Sequence, residues 1–422
     1  MLETLKNAWK VKEIRNKILF TIFIIAIFRI GSVIPVPYID VAALKSSGTT
    51  NEFFSYLSIL TGGGLEYGAI FAMSITPYIN ASIIIQLLCV AIPYLERLSK
   101  EGEEGQKKLA AITRYTTVVL ALIQGIAYFF YLKAGNYLSV TKGIWFAAIV
   151  IVLSFAAGSA IVMWLGEQID VKGIGNGISI LLFAGIISRG PQAFQALWYY
   201  WKELDRYFAV IAIVIAFLLI IAFIVWMTNA ERRIPVQYAK RVVGNKMYGG
   251  QNTHIPIKVN MSGVMPVIFA SSILMLPTMI LSFMSDTTTS FAKALSLFST
   301  RGAFYAVVYF IMIIAFAYFY ATIQFNPVEM ANNLRKNGGA IPGIRPGIPT
   351  SDFISKILSR ITLMGALFLS VIAILPIVVG SVGGINISLG GTSVLIMVGV
   401  ALDTVQNLES QMMMRHYKGF LD

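Results

Sequence analysis

Ten long runs of apolar residues, separated by polar or charged connections, constrain this chain more than any other feature. A helix needs about 20 mostly apolar residues to cross the ~30 Å hydrocarbon core of a bilayer. Charged residues make up only 13% of the chain, whereas about a quarter is usual in soluble domains. The sequence therefore predicts an all-α polytopic membrane protein with ten transmembrane helices. The predicted spans are Lys17–Val36, Ala69–Ile92, Ala111–Leu132, Ile144–Leu165, Gly173–Ser188, Tyr207–Thr228, Gly263–Phe283, Ala303–Phe325, Ile361–Val379 and Thr392–Met412.

Lysine and arginine are unequally divided between the two sides that these spans define. The side of the N-terminus carries about three times as many of them as the opposite side, and basic connections stay in the cytoplasm. We therefore predict a multi-pass plasma-membrane protein with both termini cytoplasmic. Residues 1–17 are charged and lead into a run with no plausible cleavage site, so we expect the first span to be retained.

The predicted spans contain almost no ionisable side chains. Asp403 is the deepest acidic residue, both histidines fall outside the spans, and Arg29 is the one clear intramembrane cation. Ion-coupled transporters usually place Asp, Glu or His within their spans. This composition disfavours a secondary transporter for a small solute, and we interpret Arg29 as a structural residue satisfied by backbone carbonyls or by snorkelling.

Motifs of catalysis and cofactor binding are missing from the sequence. It has no His-Glu-x-x-His pattern, no Gly-x-x-x-x-Gly-Lys loop before a helix, and no span that pairs Ser with His. We therefore expect no enzymatic activity, no cofactor and no metal site. Cys89 is the only cysteine, so no intramolecular disulfide can form.

Proline and glycine interrupt four of the spans. Pro77 lies in the second span, glycines open the fifth, Pro266 interrupts the seventh, and Gly390–Gly391 precede the tenth. Irregular backbone at membrane depth is tolerated only where it is buried in protein or lines a wet cavity. We predict that these four spans line a path across the membrane.

Several motifs occur in an order that resembles one family, the SecY protein-conducting channel, from Arg15 to about Gln411. The most informative is the polar, turn-rich segment Asn326–Gly347 between two apolar runs, which resembles a cytosolic hairpin of that family. The other motifs are Phe28–Ser32, Thr76–Ile79 with Ala81–Leu88, Met163–Ile169, Gly173–Ile180, Thr253–Asn260 and Gly390–Ser393.

The resemblance implies two inverted five-helix halves, residues 1–188 and 189–422, around a central hourglass pore. It implies a channel that translocates signal-bearing unfolded polypeptides and releases hydrophobic segments sideways into the lipid. The alternative that the residues leave open is a secondary transporter, which would also use inverted repeats and broken helices.

The same resemblance assigns site residues within the membrane. It implies a plug at about residues 51–68 with a hinge at Gly62, Gly63 and Gly64. It implies a lateral gate that neutral polar side chains hold closed, formed by Asn80, Gln86, Gln124, Ser271 and Ser272. It implies a constricting ring of aliphatic side chains that would exclude ions by dewetting, formed by Ile75, Ile79, Ile178, Leu182, Ile268 and Ile396.

Two long basic connections, residues 229–262 and 326–360, are predicted to dock cytoplasmic partners. Topology and attraction to anionic lipid also explain basic loops, but the Gly and Pro residues around Arg345 favour its presentation at a hairpin tip. The resemblance implies a SecA-type motor ATPase and the ribosome as partners, with SecE-like and SecG-like small membrane subunits. The docking residues are predicted to be Arg345, Arg335, Lys336, Lys246, Arg241 and Lys240.

Overall fold

Helices dominate the fold, as expected for a chain whose backbone must satisfy its own hydrogen bonds in lipid. We describe the protein from a computed structural model. The structure describes residues 9–46, 58, 61–139, 143–202, 207–238, 241–243, 246–248, 252–283, 289–298, 302–383 and 391–418.

The chain forms two compact units. The first comprises Met1–Tyr207, Met275–Ser299 and Val400–Asp422, and the second comprises Phe208–Leu274 and Thr300–Gly399. The predicted inverted halves, 1–188 and 189–422, stay a prediction.

The described helices of the N-terminal part come in chain order as follows: α1 Lys12–Gly31, α2 Val41–Ser46, α3 Thr76–Ala91, α4 Pro93–Lys100, α5 Glu103–Ala134, α6 Ile144–Lys172, α7 Gly177–Ile187, α8 Gly190–Lys202 and α9 Tyr207–Thr228. The helices that follow are α10 Met265–Phe283, α11 Ser290–Ser296, α12 Ala303–Gln324, α13 Pro327–Lys336, α14 Ile348–Gly383 and α15 Gly391–Lys418.

A helix overlaps each of the ten predicted spans, which confirms the all-α membrane class. Six stretches of helix among the described residues are long and apolar enough to cross a membrane. A seventh is added if α3 and α4, which meet at a bend of 103°, form one span. The total of ten crossings stays a prediction.

The predicted interruptions at Pro77 and Pro266 coincide with helix starts and do not lie inside helices. Helix α3 begins at Thr76 and α10 at Met265, so both prolines lie in a first turn. A first-turn N–H has no partner within its own helix, and proline is therefore tolerated there without a kink. The glycines do mark a helix start: α7 begins at Gly177, and the Asn176 side chain accepts a hydrogen bond from the Ser179 N–H at 3.0 Å.

The core of the first unit lies where α5, α6 and the segment after α1 meet. Phe155 and Ile151 of α6 are fully buried, and Tyr128 of α5 packs edge-on against Phe155 with ring centroids 5.3 Å apart. Val36 and Met73 belong to the same cluster. This core holds residues 65–73 against the helices.

A small sheet in the second unit was not predicted. Strand β1 (Glu231–Tyr238) pairs antiparallel with β4 (Asn252–Lys258), and β5 (Gly339–Ala340) pairs with the other edge of β1. Strands β2 (Arg241–Val243) and β3 (Lys246–Tyr248) form a separate hairpin. The two long basic connections therefore share one sheet, and the segment Asn326–Gly347 is a helix, a strand and a turn in sequence rather than a simple hairpin.

Candidate functional site

The most unusual backbone of the first unit is the segment between residues 61 and 75, which contains no helix or extended strand. Its C-terminal part is pinned to the end of the first span: the Val36 N–H donates to the Gly68 carbonyl at 2.9 Å, and the Ile70 N–H donates to the Ile34 carbonyl at 3.0 Å. The segment is largely buried, with Leu65 only 2% exposed. We call residues 61–75 the buried segment.

The predicted plug overlaps the buried segment only in part. Residues 51–57, 59 and 60 lie outside the described residues, so the plug's expected helix is not described. Gly62 and Gly63 of the predicted hinge have positive φ angles of +65° and +89°. Gly62 is also crowded, because a Cβ there would lie 2.6 Å from Arg29 Nη1 and 2.7 Å from the Gly185 carbonyl oxygen. The hinge role of Gly62, Gly63 and Gly64 stays a prediction.

Three groups from surrounding helices bind carbonyls of the buried segment. The buried Tyr128 hydroxyl donates to the Leu65 carbonyl at 2.8 Å. Arg29 Nη1 and the Ser188 hydroxyl each lie 3.5 Å from the Gly62 carbonyl oxygen. Arg29 thus lies at the outer limit of hydrogen-bonding distance from a backbone carbonyl, and its interpretation as a structural residue stays a prediction.

An ionic contact completes the surroundings of this segment. Arg189, just beyond the end of α7, forms an ion pair with Glu66, and its Nη2 donates to the Ser58 hydroxyl at 2.9 Å. The Ser58 hydroxyl in turn donates to Glu66 Oε1 at 2.6 Å. Sequence reasoning missed this cluster, because 123 residues separate Glu66 from Arg189 and no local pattern links them.

Two predicted ring residues of the first unit, Ile75 and Ile178, lie close together at the starts of α3 and α7. Side-chain atoms of Ile75 and Ile178 lie 3.6 and 3.5 Å from the position that a Cβ of Gly166 would occupy. Leu181, which was not predicted, lies 3.6 Å from the same point. Ile75 and Leu182 are 1% and 4% exposed, whereas Ile79 is partly exposed.

The remaining ring residues, Ile268 and Ile396, belong to the second unit. Ile396 is 2% exposed and Ile268 is partly buried. The assembly of all six side chains into one ring stays a prediction.

Two described hydrogen bonds of the predicted gate residues run within single helices. The Gln86 side chain donates to the Ser82 hydroxyl at 3.3 Å, and the Ser271 hydroxyl donates to the Ile268 carbonyl at 2.9 Å. Asn80 Oδ1 is buried and accepts no hydrogen bond from the described residues. Gln124 and Ser272 are partly buried. The gate stays a prediction.

A polar cavity of ≈ 370 Å³ lies at the opposite end of α7 from Arg29. Asn176 and Ser179 line it from α7, and Asp403 and Thr404 line it from α15. A small-solute transporter would be favoured by a polar cavity that Arg29 faces. This cavity is lined by other residues, and Arg29 contacts Gly62 instead.

Three of the predicted docking residues, Arg335, Lys336 and Arg345, are exposed in the second unit. Arg335 and Lys336 end α13 and are exposed, and Arg345 is exposed in the turn before α14. The Thr350 hydroxyl donates to the Arg345 carbonyl at 2.8 Å and so fixes the turn from within. Arg241 and Lys246 lie at the two ends of the β2–β3 hairpin, and Lys240 lies outside the described residues.

A buried scaffold supports these exposed cations. Val236 of β1 is fully buried, and Leu334 of α13 and Ile354 of α14 belong to the same apolar cluster. The Asn326 side chain accepts hydrogen bonds from the Val328 and Glu329 N–H groups, which caps α13. The helix that carries Arg335 and the turn that carries Arg345 are therefore anchored to one core.

These features define a multi-pass helical membrane protein with a buried irregular segment, the kind of backbone that lipid tolerates only when protein or a wet path surrounds it. The SecY family model matches residues 69–405. The chain is 44% identical to the protein translocase subunit SecY of Streptomyces scabiei and 41% identical to that of Thermotoga maritima. It is covered in full by both alignments, which span 100% and 98% of these relatives. The chain belongs to the SecY family.

Solved structures of channel proteins share this fold. One, described as showing that the SecY plug domain stabilises the closed state of the translocation channel, has a TM-score of 0.62 at 18% identity, covering 94% of this chain and 92% of that one. Another, Sec61 in a canine ribosome-channel complex, has a TM-score of 0.58 at 16% identity with the same coverage.

Proposed function

We propose that this chain is a protein-conducting channel, which translocates signal-bearing unfolded polypeptides across the membrane and releases hydrophobic segments laterally into the bilayer. The observation that carries the proposal is the buried segment 61–75, whose glycine-rich backbone packs between helices and ends at Ile75. Such a segment can close a path without forming part of a permanent wall. A solute transporter is not favoured, because Arg29 is engaged with the Gly62 carbonyl.

The aliphatic residues beside this segment would form the seal of the channel. Ile75, Ile178 and Leu181 converge over Gly166 and offer no polar group to a passing chain. Together with Ile79, Leu182, Ile268 and Ile396 they would exclude water and ions by dewetting. Residues 51–68 would be the plug, and Asn80, Gln86, Gln124, Ser271 and Ser272 would line the lateral gate.

The exposed basic residues of the second unit would receive cytoplasmic partners. A guanidinium at Arg345, on an anchored turn, suits an acidic protein surface or RNA phosphate. We assign this surface to a SecA-type motor ATPase and to the ribosome, and we expect SecE-like and SecG-like subunits in the membrane. The protein would lie in the plasma membrane with both termini cytoplasmic, and it would use the energy of its partners rather than catalyse a reaction.

Protease protection of a precursor tests this proposal. Liposomes would contain this chain, its small membrane subunits, the motor ATPase and ATP, and a signal-bearing precursor would be added. We expect a protease-resistant precursor that requires both ATP and the signal sequence. The same precursor without its signal is the matched control. Absence of protection from a demonstrably assembled complex would contradict the proposal.

A further inference from the structure

Arg189 presents a charge that the fold buries almost completely. The residue is 8% exposed, and its Nε is buried without a partner among the described residues. A charge removed from water is tolerated only when partners compensate for its lost hydration. The described compensation comes from Ser58 and Glu66, both through Nη2.

The two partners of Arg189 flank the glycine-rich stretch Gly62–Gly64 in the chain. Ser58 is fully buried, and the Gly63 N–H donates to its carbonyl at 2.8 Å, so Ser58 moves together with the turn that follows it. Glu66 lies at the other end of that turn. Arg189 therefore clasps the turn between residues 58 and 66 from both ends.

The C-terminal side of the same stretch is fixed by a different kind of contact. Gly68 and Ile70 exchange backbone hydrogen bonds with Val36 and Ile34, and these bonds do not depend on any side chain. Gly62 and Gly63, within the turn, and Gly68, just after it, have positive φ angles. Breaking the Arg189 contacts would release the side chains of Ser58 and Glu66. The Gly62 and Leu65 carbonyls would keep their contacts with Arg29, Ser188 and Tyr128, and residues 68–70 would stay attached to the end of the first span.

From these contacts we infer that Arg189, Glu66 and Ser58 form an ionic latch that holds the plug in the closed channel and must open before the plug can move. The inference rests on the proposed channel function, and it assigns Arg189 the role of a positioning residue. The guanidinium would lose both acceptors in one step, so the latch has two discrete states, engaged and released. An ion pair at this site makes the closed state depend on two side chains from distant parts of the chain.

Accessibility of a cysteine inside the clasped turn tests the latch directly. Cys89 is the only cysteine, so a Cys89→Ala background allows Thr61→Cys to be the single thiol. Thr61 is fully buried and lies between Ser58 and Glu66. Membrane vesicles with the full chain would receive a short pulse of N-ethylmaleimide, whose reaction with this thiol requires exposure.

We expect Arg189→Gln and Glu66→Gln each to raise the labelling rate of the idle channel about tenfold or more, because the open population grows when the ion pair is lost. Arg189→Lys keeps the charge but loses the planar fork, so its rate should fall between those of the parent and Arg189→Gln. The exchange variant with Glu66→Arg and Arg189→Glu should restore slow labelling. Arg114→Gln is the matched control, since Arg114 pairs with Glu167 at 2.7 Å in the same unit without contacting the turn.

A second readout separates a latch from a general loss of stability. A signal-bearing precursor should speed labelling in the parent, whereas Arg189→Gln should label fast with or without it. Equal labelling of Arg189→Gln, Arg114→Gln and the parent would overturn the latch, and so would a failure of the charge exchange to slow labelling in a folded chain. If the Arg189→Gln protein does not accumulate in the membrane, the labelling rates of Arg189→Lys and of the charge-exchange variant are compared instead, and they decide whether the latch exists. The variants could label at the expected rates while the channel fails to protect a precursor from protease. That result would count against the proposed function and not against the latch.

Discussion

Gly62 and Gly63 are neighbours in the buried segment, but different structural constraints require glycine at the two positions. Both Gly62 and Gly63 adopt left-handed backbone conformations that L-residues with a Cβ avoid. At Gly63 a Cβ would have its nearest neighbours at 4.0 Å, so only the backbone conformation demands glycine. At Gly62 a Cβ would also clash with Arg29 Nη1, Ser188 Oγ and the backbone of Gly185.

We therefore expect Gly62→Ala to displace the buried segment and Gly63→Ala to leave it in place. Gly63→Ala should cost about 1–2 kcal/mol of backbone strain, and Gly62→Ala should cost clearly more because α7 and Arg29 must also shift. Thermal unfolding followed by tryptophan fluorescence would measure the difference. Equal melting temperatures for the two variants would contradict the crowding at Gly62.

Some residue-level features were readable from the sequence and others were not. Ile75 and Ile178 were predicted as ring residues, and the structure places both beside Gly166. Leu181 was missed because an aliphatic residue within an apolar run carries no distinguishing signal. The Glu66–Arg189 pair was missed because its partners become neighbours only after α7 has packed against the segment.

At the scale of elements, hydropathy predicted the positions of the helices well but placed the start of α3 seven residues too early. Helix α9 has the bounds of its predicted span, and α12 ends one residue before its predicted end. Pro77 was read as an interruption because a proline in the first turn and one in the middle of a helix look alike in an apolar run. The sheet was missed because β5 has only two residues, and its partner β1 lies about 100 residues away.

The anchored turn before α14 gives a prediction about partner docking. Arg345→Glu should reduce motor-driven transport about tenfold or more, since a repulsive charge replaces an attractive one in a docking contact. Membrane insertion of the protein should be unchanged. Transport of a signal-bearing precursor into vesicles measures the effect.

Lys356→Glu is the control for this change, because Lys356 is also exposed in the second unit but lies on α14 rather than on the turn. It should leave transport near the parental level. Normal transport by the Arg345→Glu variant, or equal loss in both variants, would remove the docking role of Arg345.

For the whole molecule, the central question is how a channel for polypeptides blocks the passage of ions when it is idle. The proposed seal combines a seated plug with an aliphatic constriction, so either layer alone should be incomplete. Removal of side chains from the constriction leaves space that water can fill, and a hydrated constriction conducts ions.

We expect Ile75→Gly combined with Ile79→Gly, or deletion of residues 51–68, to make the channel leak ions. The structure favours a shorter deletion. The Gly68 carbonyl accepts a hydrogen bond from the Val36 N–H, so removal of Gly68 would also disturb the end of the first span. Deletion of residues 51–57 alone is therefore the cleaner variant. Planar-bilayer conductance measures the leak, and unchanged conductance in all these variants would remove the plug and ring assignments.

The sheet that joins the two basic connections has a mechanical consequence. Strand β1 lies between β4 and β5, so the turn with Arg345 is tied by β5 to a strand that continues directly from α9. A partner that pulls on this turn transmits its load through the sheet to that membrane helix, besides loading α14. A pull on one of the two basic connections would therefore reach the other through the backbone hydrogen bonds of the sheet.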